Sequence, residues 1–343
     1  MIFHQTAPQI LAAIQNSNHP LLISHEKPDG DTLGASLALS QYLNKQNKKH
    51  KHFCLDEPAD YFNYLPKIEN IINDCNQINL AEHDLVITID CADLKRTGLD
   101  ESLQKFKDQI VLINIDHHQT NTYFGHHNLV IPTASSTSEI IYKFFEHSKI
   151  EIDKYMSTSL LTGIITDTMN FTNAVTTQAS LEIAAKLLNQ GARITQIISH
   201  LTQNKSLASL KLWGKILSRL EIEPQFNFAH TLITQQDLKE EQISKEELDG
   251  LANFLSLLQD AEFILLLTEE PDDFIKGSLR TTKDLIDVSV IASAFGGGGH
   301  KKAAGFKIDR KVMGANVDWK NFILNAIITK LKKSEVRSPK AEG

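Results

Sequence analysis

His25-Glu26-Lys27-Pro28-Asp29-Gly30-Asp31 places an imidazole and two carboxylates in one turn-forming segment, directly after the apolar run Leu21 to Ser24. Histidine nitrogen with carboxylate oxygen suits Mn²⁺ and does not suit the thiolate-rich sites of structural zinc. The same residues also read as a strand-to-helix turn, with Asp29 ordering the Pro-Asp-Gly bend and Asp31 capping the helix that follows. A second group, Asp116-His117-His118, follows the run ending Ile113-Asn114-Ile115. Adjacent residues on an extended chain point to opposite faces, so distinct roles are expected unless the chain turns there. One histidine would bind metal and the other would donate a proton or a hydrogen bond to a phosphate. His126-His127 reads as a polar loop. Asp90 closes Leu85 to Ile89 and would be costly to bury unpaired, so it is expected at a crevice or on a cation. Asp167 reads either as a helix-end turn aspartate or as a further ligand. His25, Asp29, Asp31, Asp90, His117 and Asp167 together supply the nitrogen and oxygen ligands that two octahedral cations, about 3.5–4 Å apart and sharing one carboxylate, would use.

The second half carries Gly296-Gly297-Gly298-Gly299-His300, followed by Lys301 and Lys302. Successive glycines let backbone N–H groups approach an anion, and His300 with the lysines adds charge; a flexible surface loop is the alternative. The spacing is neither that of a Walker loop nor that of a dinucleotide-binding loop. Arg280 could grip a phosphate bidentately, although an ordinary surface arginine reads the same way. Arg96 could also reach a substrate, a solvated loop charge being the ordinary reading. Cys91 reads as a small core residue rather than a nucleophile.

These residues need elements that bring them together. Leu21 to Ser24, Leu85 to Ile89 and Ile110 to Ile115 read as buried strands, ending at His25, Asp90 and Asp116. Helical patterns cover 33–43, with Asp31 as candidate cap, then 154–165, with Asp167 just beyond, and 179–189, with Gly191 after it. Alternation of strand and helix predicts a parallel sheet, and in such sheets ligands bind beyond the carboxyl ends of the strands. A helical, amphipathic stretch from Arg193 to Glu221 reads as a linker. Beyond Pro224, strand-like runs at 228–234, 263–268 and 277–281, with a helical 245–258, predict a second α/β domain. The expected fold class is thus α/β: a domain over 1–190, a helical linker over 191–224, a smaller α/β domain with a mixed sheet over 225–332, and a frayed tail over 333–343.

At 343 residues two domains are the natural expectation. A formal net charge of −7 argues against a tight grip on long duplex DNA, and leaves small anionic substrates open, because bound metal adds positive charge that the residue count omits. Three cysteines without a C-x-x-C pair fit a reducing compartment. The N-terminal residues lack a signal-like pattern and no long apolar run occurs, so a cytoplasmic protein without membrane association is expected.

The order His25-x-x-x-Asp29-x-Asp31, Asp90, Asp116-His117-His118, Asp167 and Gly296 to His300 resembles the DHH phosphoesterases that carry a DHH-associated C-terminal domain, across residues 3–330. The resemblance implies a DHH catalytic domain joined to a substrate-binding domain. It implies that His25, Asp29 and Asp90 hold one Mn²⁺, and that Asp31, Asp90, His117 and Asp167 hold the other, with Mg²⁺ or Co²⁺ as alternatives. It further implies that Asp116 and His118 assist catalysis and that Arg280 with Gly296, Gly297, Gly298, Gly299 and His300 holds the nucleotide end. Within the family the compact oligoribonuclease type, which also acts on 3′-phosphoadenosine 5′-phosphate, fits the length best. The expected substrate is short single-stranded RNA or a small nucleotide, with a homodimer compatible. A cyclic or linear dinucleotide phosphodiesterase and a nucleotide-sensing binding protein are the other readings. Met169 departs from the family pattern, in which glycine is common at that place, and puts local shape in question.

Overall fold

A computed structural model describes residues 2–202, 205–243, 245–248, 250–313 and 318–333. It divides into two compact units, Met1–Asn204 and Lys205–Gly343.

The first unit is built on six parallel strands in the order β3-β2-β1-β4-β5-β6. These are β1 (Pro20–Ser24), β2 (Lys51–Phe53), β3 (Ile71–Ile72), β4 (Leu85–Ile89), β5 (Val111–Asp116) and β6 (His127–Val130). β1 and β4 are buried throughout, which is why their sequences are runs of Leu, Val and Ile rather than alternating patterns. Helices α1 (Ile2–Asn16), α2 (Gly30–Lys45), α3 (Asp100–Phe106), α4 (Thr137–His147), α5 (Lys154–Asp167), α6 (Gln178–Asn189) and α7 (Ile194–Thr202) accompany the sheet. One core gathers Leu22, Ile87 and Ile113 from the strands with Leu39, Phe144 and Ile164 from α2, α4 and α5; a second, with Leu21, Ile23 and Leu103, includes α3. Strand order reverses between β1 and β4, and beyond such a switch point the carboxyl ends of neighbouring strands leave a crevice.

Two helices pack there unusually closely. A Cβ on Gly163 of α5 would fall 2.6 Å from Asp31 Oδ1, and one on Gly34 of α2 would lie 3.0 Å from Gly163 N.

The second unit holds a mixed sheet, β11-β12-β10-β9-β8-β7, in which only β8 and β9 run parallel. Its strands are β7 (Glu221–Glu223), β8 (Phe228–Ile233), β9 (Ile264–Glu270), β10 (Phe274–Arg280), β11 (Gly298–His300) and β12 (Ala303–Asp309). With them go α8 (Leu207–Leu217), α9 (Gln235–Glu241), α10 (Leu251–Leu255), α11 (Val288–Ser293) and α12 (Trp319–Lys333). Phe228, Leu265, Ile275 and Phe306 pack with Ile323 and Ile327 of α12, whereas Leu212, Ile216 and Leu251 form a second cluster.

Three local expectations change. The helix after β1 is capped by Asp29, whose side chain accepts from Asp31 and Thr32 N–H, so Asp31 lies inside the first turn with its carboxylate free for other partners. The stretch from Arg193 to Glu221 is two helices. Ile197 of α7 joins a core of the first unit, and Leu212 and Ile216 of α8 join the Leu251 cluster of the second unit, where Ser206 starts a new helix by accepting from Ser209 N–H. The helix read over 245–258 is a 3-10 turn at Lys245–Leu248 and the short α10, separated at Gly250, whose φ of +90° interrupts a right-handed helix. Of the tail over 333–343, residues from 334 onward lie outside the described residues. Among the described residues no helix is long and apolar enough to cross a membrane.

Candidate metal centre

The chain delivers chemistry to the switch point from both sides. β1 ends one residue before His25, β4 one residue before Asp90, and β5 ends on Asp116. Asp90 takes φ of +61°, a left-handed turn that swings the chain out of the strand. α2 brings Asp31 in its first turn and α5 brings Asp167 as its last residue.

All six residues expected as ligands meet. His25 Nε2 lies 3.7 Å from Asp29 Oδ1 and 3.3 Å from Asp90 Oδ2. His117 Nε2 lies 3.6 Å from Asp90 Oδ1 and 3.2 Å from Asp167 Oδ2. Three groups, His25 with Asp29 and Asp90, Asp31 with His117 and Asp167, and Asp90 with His117 and His118, have ligand atoms near enough to hold an ion. The two oxygens of Asp90 therefore face two different imidazoles, the arrangement of a carboxylate that could bridge two cations.

The donor set fits hard divalent cations. It is carboxylate and imidazole, and the nearby Cys91 Sγ donates instead to the Ile89 carbonyl at 3.4 Å. His25 contacts the Glu26 carbonyl through Nδ1 at 2.6 Å, so that Nδ1 carries the proton and Nε2 is left as a ligand. Charge points the same way. Burial and repulsion from Asp90 raise the Asp31 carboxyl to about 7, and burial with repulsion from Asp31 and Asp90 pushes Asp167 well above the ordinary range. Burial pulls His25 down, but Asp29 and Asp90 outweigh it and raise the ring to about 10. Asp31 and Asp167, buried against like charge, are carboxylates that positive ions would relieve.

Asp116 and His118 form a separate pair. His118 Nδ1 is 2.7 Å from Asp116 Oδ1, while Asn121 Nδ2 donates to Asp116 Oδ2 at 2.5 Å. Burial alone would raise Asp116 and lower His118. Their contact reverses both, leaving the carboxyl below its ordinary value and the imidazole above its own. Because the chain turns after β5, the rings of His117 and His118 sit 4.7 Å apart rather than on opposite faces. Arg96 brings its guanidinium Nη2 to 3.2 Å from His25 Nδ1. His126 Nδ1 accepts from Leu112 N–H, a strand-edge contact. Met169, Asn170 and Phe171 all take left-handed conformations, φ 49°, 57° and 62°, which is the backbone glycine adopts without strain.

In the second unit, the glycines are strand as much as loop. Gly298–His300 pair with β12, and Gly299 adopts φ of +139° where a Cβ would meet Ala303 O and Ala304 Cα at 2.6 Å. The bare backbone at that position is thus required by sheet packing. His300 and Arg280 are both register partners of Ala303, so they share one face on either side of a small residue, about 10 Å apart. Arg280 donates through Nε to Asn253 Oδ1 at 3.0 Å, and among the described residues no carboxylate pairs with it.

Residues unseen by motif reading complete the first site: Thr137 and Ser138, at the start of α4, and Asn121. Ser136-Thr137-Ser138-Glu139 ahead of Ile140-Ile141 is a legible helix-start pattern that points to Thr137 and Ser138, whereas no pattern points to Asn121.

A parallel sheet with histidines and aspartates converging at its switch point defines a metal-site α/β domain, and comparison with known proteins specifies which. Residues 21–164 match the DHH family, N-terminal domain, and residues 227–333 match the DHHA1 domain. The chain belongs to the DHH family and carries a DHH domain followed by a DHHA1 domain. It is 29% identical over 298 residues to a bifunctional oligoribonuclease and PAP phosphatase, NrnA, of Thermus thermophilus, covering 87% of this chain and 86% of that one. It is 25% identical over 304 residues to the cyclic-di-AMP phosphodiesterase PdeA of Listeria monocytogenes, covering 84% of this chain and 44% of that one. The fold is shared with an exopolyphosphatase-related protein from Bacteroides fragilis, at a TM-score of 0.86 and 24% identity, over 96% of this chain and 97% of that one.

Proposed function

We propose that this protein is a two-metal phosphoesterase that hydrolyses short oligoribonucleotides to mononucleotides and removes the 3′-phosphate of 3′-phosphoadenosine 5′-phosphate. The observation that carries the reading is the placing of the two Asp90 oxygens, 3.3 Å from His25 on one side and 3.6 Å from His117 on the other. His25, Asp29 and Asp90 would hold one cation, and Asp31, Asp90, His117 and Asp167 the other; Mn²⁺ suits the donor set, with Mg²⁺ or Co²⁺ as substitutes. When bound, such ions neutralise charge on a phosphoryl group and make coordinated water acidic enough to act near neutral pH.

The chain's own residues supply the remainder. Asp116 holds the His118 ring through Nδ1 and favours its protonated form, so His118 can give a hydrogen bond or a proton to a phosphate oxygen or a leaving group. Arg96 adds a guanidinium beside His25 for a non-reacting phosphate. Arg280, His300 and Gly296 to Gly299 are proposed to bind the nucleotide end on the DHHA1 domain, the guanidinium aligned by Asn253. The activities for which the Thermus thermophilus relative is named support the substrate class.

The test is release of mononucleotide from di- to pentaribonucleotides, and of phosphate from 3′-phosphoadenosine 5′-phosphate, with Mn²⁺, Mg²⁺, Co²⁺ or chelator. Asp116→Ala and His117→Ala should abolish turnover, with His126→Ala as the control. Equal rates in all three variants would place the chemistry elsewhere. A second reading, a phosphodiesterase of cyclic or linear dinucleotides, draws on the Listeria monocytogenes relative; faster turnover of cyclic dinucleotide than of short RNA would favour it.

A further inference from the structure

Thr137 touches two of the central carboxylates at once. Its backbone N–H donates to Asp31 Oδ2 at 2.6 Å and its hydroxyl donates to Asp90 Oδ1 at 2.8 Å. Ser138 N–H donates to the other Asp31 oxygen, Oδ1, at 2.9 Å. Thr137, Ser138 and Asp31 are wholly buried and Asp90 is 2% exposed, so no solvent replaces these donors.

The hydroxyl is not needed to start the helix. Ser136 is the cap of α4, its Oγ accepting from Glu139 N–H, and the Glu139 carboxylate accepts in turn from the N–H and hydroxyl of Ser135. The Thr137 hydroxyl is free of that duty and is directed to Asp90. A carboxylate turns easily about its last bond, because that torsion is broad and roughly two-fold. Asp90 sits on a left-handed turn with His25 near one oxygen and His117 and His118, at 3.6 and 3.5 Å, near the other. The Thr137 hydroxyl, fixed at the start of α4 and 2.8 Å from Oδ1, gives the carboxylate plane a buried anchor on one side.

We propose that Thr137 is a positioning residue that locks the plane of the Asp90 carboxylate and its spacing from Asp31, so that one Asp90 oxygen is presented to each half of the centre. This rests on the two-cation reading of the site. Partners that orient ligands in this way are typically worth about 10- to 100-fold in metal affinity.

The experiment is Mn²⁺ titration of the full chain, free ion being read by electron paramagnetic resonance, which needs no turnover. Wild type should take up two ions. Thr137→Val keeps the N–H contact to Asp31 and removes the hydroxyl, and should weaken Mn²⁺ binding about 10- to 100-fold. Thr137→Ser should restore the wild-type titration. Circular dichroism checks the fold, and Thr137→Ala serves if the valine variant does not fold. Wild-type affinity in the valine or alanine variant would overturn the proposal, as would a serine variant as weak as valine. A wild-type chain that binds no Mn²⁺ would instead remove the two-cation reading itself.

Discussion

Replacing one glycine by alanine should have opposite effects at two helical positions, and the difference is set by what surrounds each. At Gly214 of α8 an added methyl meets nothing within 4 Å. At Gly163 of α5 it would collide with Ser138 Oγ and fall 2.6 Å from Asp31 Oδ1. Alanine is favoured over glycine in a helix interior by about 1 kcal/mol, so Gly214→Ala should stabilise by roughly 0.5–1 kcal/mol. The same gain at Gly163 is opposed by overpacking, which costs about 1–3 kcal/mol where the structure can relax, and here the neighbours are a helix start and a buried carboxylate. Restoring ordinary contact requires Asp31 to move by roughly 0.8 Å, and displacements of that size at a reacting centre cost about 100-fold in rate. Gly163→Ala should therefore lower the melting temperature by a few degrees and depress both Mn²⁺ affinity and turnover of a diribonucleotide. Differential scanning fluorimetry, ion titration and a mononucleotide-release assay measure the three effects. Wild-type turnover in Gly163→Ala would refute the claim that α2, α4 and α5 are packed to hold Asp31 in place.

Asp237 is buried, gripped by Arg219 Nη1 at 2.6 Å and Nη2 at 2.9 Å and by Lys215 at 2.9 Å. Burial works to raise its carboxyl, but these partners outweigh it and hold it below the ordinary value. The stabilisation is accordingly present above about pH 4 and lost as pH falls through the lowered folded-state value. Asp237→Asn should cost about 2–3 kcal/mol in denaturant melts at pH 7, the gap closing below about pH 3; a gap independent of pH would contradict this. Arg280→Lys loses the planar fork while keeping the charge, and should raise KM about tenfold with kcat within about twofold, whereas an unchanged KM would remove Arg280 from substrate binding. Free Mn²⁺ at about 100 times the Kd of each site should add about 2.7 kcal/mol per occupied site to the unfolding free energy, about 5.4 kcal/mol for two, and Asp90→Asn should erase most of that increment. An equal increment in the variant would show binding outside the centre.

The chemistry was more legible in the sequence than its support. Strands ending at His25, Asp90 and Asp116 could be read because doubly covered parallel strands are unbroken apolar runs, and a strand that stops at a charged residue marks where the sheet opens. The convergence of those ends was an inference from topology that the observed strand order bears out. Of the two readings of Asp31, cap and ligand, the cap falls to Asp29: the two are equally good capping residues in type, and the backbone angles and side-chain contacts at Asp29 distinguish them. Thr137 is legible as part of a helix start, but its role is not: its contacts with Asp31 and Asp90 span 106 and 47 residues, and no local pattern encodes a pairing at that separation. The second unit was harder still. Its glycines looked like a loop, and the demand for close strand approach at Gly299 exists only once β12 lies beside it.

The side chains around Asp90 come from α2 and its cap, from α4 and α5, and from the segments that follow β1 and β5, elements spread over more than a hundred residues of chain. None of the three candidate ion groups can assemble until strands distant in sequence have paired. Ion uptake by this protein therefore doubles as a gauge of complete folding: a newly made, nicked or partly denatured chain would carry every ligand and still be unable to gather them.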